Sequence, residues 1–163
     1  MAQDRSILSR ARSRLADLWA PVGGESAPYA FDFTTYYADE MGPRLVKQLL
    51  WFEGLVDPAA LPKKKRQAMV LERDLAECDG AGVRRRANID PGLVTLESLV
   101  LASTKQSGHR ICIAPGLYGE VTLFYRQGRY RPLEWTYPDY QTEGVQTFLQ
   151  EIRAHLLAQR HET

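Results

Sequence analysis

Tyr118-Gly119-Glu120-Val121-Thr122-Leu123-Phe124-Tyr125-Arg126-Gln127-Gly128-Arg129-Tyr130-Arg131-Pro132-Leu133 is the stretch whose reading decides the fold class. β-Branched and aromatic residues run on both sides of Gln127-Gly128, a dipeptide suited to a two-residue turn because glycine reaches positive φ without a Cβ clash. The stretch therefore reads as an antiparallel hairpin, Tyr118 to Arg126 and Arg129 to Leu133. That loop sets Arg126 opposite Arg129, Phe124 opposite Arg131 and Thr122 opposite Leu133, and these six share a face with Glu120. Val121, Leu123, Tyr125, Tyr130 and Pro132 hold the other face. Two directly opposed arginines repel, so they either splay into water or share an acidic partner. The charged face has two readings: a solvated sheet surface on which Glu120 neutralises an arginine, or an anion site that includes Arg126 and Arg131.

Helical and strand patterns surround the hairpin. Ile7, Leu8, Ala11, Leu15, Leu18 and Trp19 recur at helical spacing behind Asp4, which predicts a capped helix over 5–19, stopped by Pro21 and Gly23-Gly24. Tyr29, Phe31 and Phe33 alternate as in a strand. Pro43 after Gly42 suits the first turn of a second helix carrying Val46, Leu49, Leu50 and Trp51 and ending at Gly54. A third helix starts near Pro62, buries Ala68, Leu71, Leu75 and Cys78, and stops at Asp79-Gly80. A strand over 83–89, a short helical or irregular piece over 95–103 and a strand over 109–114 precede the hairpin. The last helix, over 142–159, presents Val145, Phe148, Leu149, Ile152 and Leu156. There is no internal repeat or linker. The expectation is one α+β domain over 1–163, with helices packed on a mixed, mostly antiparallel sheet of about five strands and a motif region over 83–140.

Composition excludes more than it selects. The 163 residues, 44% hydrophobic and 25% charged, suit one globular domain with a core of its own. Twenty-one basic against 20 acidic residues leave a net charge of +1, so no global field draws the protein to nucleic acid or an acidic membrane. No apolar run is long enough to span a bilayer, and residues 1–19 carry charges every few positions instead of a signal sequence. Cys78 and Cys112 stand far apart, which fits a soluble protein of the reducing cytoplasm. The chain has no phosphate loop, no Gly-x-Gly-x-x-Gly, no Cys-x-x-Cys and no His-Glu-x-x-His, and only three histidines. Nothing in the spacing of Asp90, Glu120 and Asp139 requires a cation, so no metal is expected and no cofactor is assigned.

What remains is a crowding of charge between Asn88 and Tyr140, where each charge beside a core strand costs desolvation unless it is paired. Lys105, His109 and Arg110 leave one loop, and three cationic groups close together suit a phosphate or carboxylate. The candidate catalytic residues are His109 with Asp90 or Glu120, as acid and base; the candidate ligand-binding residues are Lys105, Arg110, Arg126, Arg131, Tyr137 and Asp139. The plainer readings are that Asp90-Pro91-Gly92 is a turn, that His109 is the structural partner of a carboxylate, that Lys105 and Arg110 form ion pairs, and that Trp135, Tyr137 and Tyr140 are a lid packed on the sheet edge. Two functions follow: a protein that binds, or acts on, a small anionic ligand, or an accessory module for RNA or protein using Lys63-Lys64-Lys65-Arg66, Arg84-Arg85-Arg86 and the hairpin arginines. A scaffold acting as a homodimer is the third.

Phe31-Asp32-Phe33-Thr34 with Tyr36-Tyr37 and Glu40-Met41-Gly42, then Asn88-Ile89-Asp90-Pro91-Gly92, Leu99 to Lys105, His109-Arg110-Ile111, Glu120 to Leu123 and Trp135 to Tyr140 together resemble the bacterial domain of unknown function 4416 family. The likeness runs from Ser6 onward. It implies no established activity and no defined catalytic residues; GTP binding, which some members' names carry, is not expected in a chain without a phosphate loop. The resemblance also implies an apolar strand ahead of the first helix, where this chain has Met1-Ala2-Gln3-Asp4, so the expectation is that this strand is lost or encoded upstream.

Overall fold

Asp4 stands where the first helix begins, its carboxylate accepting from the backbone N–H of Ile7 at 3.0 Å and from the Ser6 hydroxyl. The capped helix is α1 (Arg5–Leu18) of a computed structural model that describes residues 1–34, 36–79 and 82–161. After it come β1 (Val22–Glu25), β2 (Tyr29–Phe31), the single turn α2 (Ala38–Met41), β3 (Leu45–Lys47), β4 (Leu50–Phe52), α3 (Leu61–Asp74), β5 (Glu77–Asp79) and β6 (Gly82–Arg84). Then follow β7 (Gly92–Val94), β8 (Ser98–Ser103), β9 (Ile111–Ala114), β10 (Leu117–Arg126), β11 (Arg129–Pro132) and α4 (Glu143–His161). The fold is α+β, and every ladder among these strands is antiparallel. The chain divides into two compact units, one of residues 1–55 with 66–89, the other of residues 56–65 with those from Asp90 onward.

In the first unit, α1 lays Ile7, Leu8, Ala11 and Leu15 against Leu71, Leu75 and Ala87, with Trp19, Val46 and Phe52 packed around them. Ala2 is fully buried and its backbone bridges both Val46 and Ala87, while the terminal amine donates to the Asn88 carbonyl. The expected second helix is absent: Gly42 (φ 79) and Arg44 (φ 62) turn the chain into β3, which pairs with β2, and β4 pairs with β1. Gly23-Gly24, expected to stop the first helix, lies in β1 against the Trp51 ring. Likewise α3 ends at Asp74, and Cys78 belongs to β5; Gly80, the expected stop, lies outside the described residues.

The second unit holds a five-stranded sheet of order β11-β10-β8-β7, with β9 also on β10. Its hairpin has the expected register, Arg126 opposite Arg129, Tyr125 opposite Tyr130 and Phe124 opposite Arg131, around Gln127 (φ 52) and Gly128 (φ 81). The two arginines are exposed, and the Arg126 guanidinium lies over the Phe124 ring. The piece over 95–103, expected to be helical or irregular, is irregular only over 95–97; residues 98–103 are the central strand β8, paired with β10 on one side and with β7 on the other. Strict alternation along β10 also fails. Val121 pairs with Val100 and Leu123 with Leu99, so Thr122 is an extra residue, a bulge, and Thr122 and Leu123 are both fully buried. Glu120, at 2% exposed, does not lie on a solvated face.

Helix α4 buries Val145, Phe148, Leu149 and Ile152 and fastens the hairpin. Gln150 donates to the Gly128 carbonyl at 2.7 Å, and Arg153 donates to the Leu96 carbonyl with its guanidinium 3.7 Å from the Tyr125 ring centroid. Tyr130, fully buried, donates its hydroxyl to the Thr95 carbonyl. Burial pushes its phenol up to about 12 against the opposing pull of Arg153.

Gly92 begins a strand rather than closing a turn. A Cβ there would lie 2.7 Å from Leu101 Cδ2 and 2.8 Å from the Val100 carbonyl oxygen, whereas a Cβ on Gly108 would meet nothing within 4 Å. Gly92→Ala is expected to cost about 1–3 kcal/mol in urea unfolding, and Gly108→Ala to stay within about 0.5 kcal/mol. The Tyr130 shift makes a second prediction. A phenol whose folded value is raised contributes stability that is complete below its ordinary value and lost as pH rises through the folded one. The parent protein should therefore lose thermal stability progressively between pH 10 and about 12, and Tyr130→Phe should lose less over that range.

Candidate functional site

The site grows from the connection between β8 and β9. Past Ser103, whose hydroxyl accepts the Lys105 N–H, a tight turn is closed by the Arg110 N–H on the Ser107 carbonyl at 3.1 Å. This turn delivers His109 and Arg110 side by side to Glu120 on β10. His109 Nε2 lies 3.0 Å from Glu120 Oε2, and Arg110 donates Nε–H to the same oxygen at 2.7 Å. The other oxygen, Oε1, is 3.3 Å from the hydroxyl of Thr122, the bulge residue.

Each partner is fixed in turn. The His109 ring stacks on Trp135, centroids 4.8 Å apart and planes 10° from parallel, and the Trp135 indole N–H donates to the Val121 carbonyl. On its far side His109 Nδ1 is 3.1 Å from the Ser107 hydroxyl. Arg110 also donates to the Lys105 carbonyl at 3.0 Å and to the Tyr137 hydroxyl at 3.1 Å. Side-chain exposure falls from 25% at His109 to 8% at Arg110 and 3% at Glu120. Burial pulls the Arg110 guanidinium down, but the hydrogen bond and charge of Glu120, then Tyr137, outweigh it and hold the net value above the ordinary one. Arg110 is thus a permanent cation and Glu120 its counter-charge.

Of the residues predicted from sequence, Lys105, His109, Arg110, Glu120 and Tyr137 come together. Asp90 does not join them through His109; its Oδ1 accepts from Lys65 Nζ at 2.8 Å, and the Lys65 side chain is only 5% exposed. Asp139 is fully buried in the 3-10 turn Pro138–Gln141, with no surface to offer a ligand. Arg126 and Arg131 sit at the hairpin tip, Arg126 six residues or about 20 Å along β10 from Glu120, and Arg131 donates to the Gln127 side chain. Ser107 and Thr122 were not expected. Their signals were positional: Ser107 stands two residues before His109 in a glycine turn, and Thr122 two residues after Glu120 on one strand.

The basic runs have other employment. Arg85 pairs with Glu40 and Glu72 and donates to the Asn88 side chain; Arg86 pairs with Glu77 and Asp4. Among the described residues no cluster of His, Cys, Asp and Glu could hold a metal ion, and no helix is long and apolar enough to cross a membrane.

Removing either member of a buried ion pair strands the other, at a cost of about 3–5 kcal/mol, whereas an apolar pair of similar volume is often nearly neutral. Glu120→Gln is therefore expected to lower unfolding free energy by about that amount, and Glu120→Leu with Arg110→Met to recover most of it. A double-mutant cycle in urea measures the coupling; additive losses would show that the pair does not act as a unit.

No curated protein and no solved structure matches the chain. A family model does, over residues 1–156 of the 163. By that match the chain belongs to the family described as Domain of unknown function (DUF4416).

Proposed function

We propose that the Lys105–Arg110 loop and the rim at Tyr137 bind a small anionic ligand bearing phosphate or carboxylate, and that His109 exchanges a proton with it. The observation that carries this reading is the gradient of exposure along one hydrogen-bonded chain: Glu120 is buried at its base, and His109, next along it, is a quarter exposed. A carboxylate at Nε2 favours the tautomer with the proton on that nitrogen, which leaves the Nδ1 lone pair as a base. Stacking on Trp135 holds the ring in plane, so the basic nitrogen has a defined direction. Arg110 positions Glu120 and is too enclosed to meet a ligand face on; Lys105, exposed on the same loop, is the cation that would attract one.

An RNA-binding role draws on basic runs in which Arg85, Arg86 and Lys65 each already face an acid. Electrostatic RNA binding weakens steeply with salt, so filter binding of a mixed RNA pool at low salt is expected to show no retention.

A thermal-shift screen of phosphorylated and carboxylated metabolites tests the anion reading. At least one compound at 100 times its Kd should stabilise the parent by about 2.7 kcal/mol, a shift of several degrees. Lys105→Ala should abolish that shift while its unliganded melting temperature stays near the parent's. If no compound acts, or Lys105→Ala responds as the parent does, the reading is wrong.

A further inference from the structure

The two nitrogens of His109 face different chemistry. Nε2 meets Glu120 at 3.0 Å and Nδ1 meets the Ser107 hydroxyl at 3.1 Å, so a hydroxyl, an imidazole and a buried carboxylate form one line. With the imidazole proton on Nε2 and hydrogen-bonded to Glu120, Nδ1 can only accept, and the hydrogen between it and Ser107 Oγ belongs to the serine. We propose that Ser107 is a nucleophile activated by His109, and that the site hydrolyses a small carboxylic ester whose acyl part carries a negative charge. The charge preference, though not the nucleophile, rests on the anion-binding reading above.

Four features favour this role over a merely local hydrogen bond. Ser107 and His109 occupy one turn closed by Arg110 N–H on the Ser107 carbonyl, so the backbone holds the two residues close together and only their side-chain torsions remain to be set. The space over Gly108, the residue between them, is open: a Cβ there meets no atom within 4 Å. Trp135 stacked on the imidazole opposes the ring rotation that would break either contact. Arg110 shares one carboxylate oxygen with His109, so a fixed positive charge and the imidazole meet at the same acceptor, and Glu120 orients the ring.

The chemistry balances without a cofactor. As Ser107 Oγ bonds to the ester carbonyl carbon, its proton passes to His109 Nδ1; when the carbonyl reforms, the bond to the alcohol oxygen breaks and that oxygen takes the proton from Nδ1. Water then adds to the acyl carbon, giving a proton to Nδ1, and Ser107 Oγ leaves with it. The net reaction is ester plus water to acid plus alcohol. In this scheme Lys105, two residues before Ser107, meets the charged end of the acyl group.

The full chain is treated with a fluorophosphonate, which traps activated serines, and the adduct is located by mass spectrometry. The adduct is expected on Ser107. His109→Gln should slow labelling, and hydrolysis of mono-p-nitrophenyl succinate, by about 100-fold or more. Ser107→Ala should abolish both while keeping the parent's melting temperature, and Gly108→Val should slow labelling by crowding the turn. Locating the adduct on the parent protein keeps the test valid if a variant folds poorly. Absence of an adduct on Ser107, or hydrolysis undiminished in Ser107→Ala, overturns the proposal. The two readings fail separately: metabolite binding without an adduct leaves an anion-binding protein with no nucleophile, and an adduct without metabolite binding leaves a hydrolase with no charge preference.

Discussion

A carboxylate at 2% exposure sits in the middle of the longest strand, and the second unit is arranged to tolerate it. Buried and alone, Glu120 would be expelled or protonated, because desolvating an ion costs more than a small domain can spare. Two neighbours on the incoming turn, His109 and Arg110, share one of its oxygens, and the bulge residue Thr122 reaches the other. Through Arg110 the same charge fixes the Lys105 carbonyl and the Tyr137 hydroxyl, and through His109 it fixes the Trp135 ring and Ser107. One ion thus organises the β8–β9 connection and the segment after β11. The chemical asymmetry of the site has the same origin, with a permanent cation on one side of the carboxylate and a titratable ring on the other.

How far the chain could be read depended on whether the deciding contacts were local. The hairpin was legible because Gln127-Gly128 dictates its own geometry, and α1 was legible because Asp4 and an unbroken apolar stripe coincide. Val46, Leu49, Leu50 and Trp51 also have helical spacing, yet Val46 lies in β3, Leu50 and Trp51 lie in β4 and Leu49 links the two: the positive φ at Gly42 and Arg44 turns the chain, and the pairing partners lie 14–18 residues away in β2 and 25–30 away in β1. The apolar run of β8 suffers the usual ambiguity of short apolar segments. The site divides in the same manner. Lys105, His109, Arg110 and Glu120 follow from one turn and one neighbouring strand, while the ion pair of Asp90 could not be read because its partner, Lys65, lies on a helix 25 residues earlier.

The arginine triplet illustrates a wider point about charge in sequence. Three consecutive arginines read as a patch for polyanions, but Arg85 and Arg86 together touch four acids of the first unit. The acids come from distant positions, so the neutralisation is invisible along the chain. A cationic run marks a binding surface only when the fold leaves its counter-charges elsewhere.

The bulge at Thr122 also bears on how this protein can change over generations. A bulge is a counting device: it lets the segment before it and the segment after it keep separate registers with β8. Glu120 and Leu123 pair with Leu101 and Leu99, two positions apart on β8, so losing the extra residue would leave both halves of the strand on their present faces, at the cost of the Thr122 hydroxyl that reaches Glu120. A residue gained or lost among the paired positions on either side would instead turn one half over relative to the other. The bulge is thus the one place where this strand can change in length without reversing its faces.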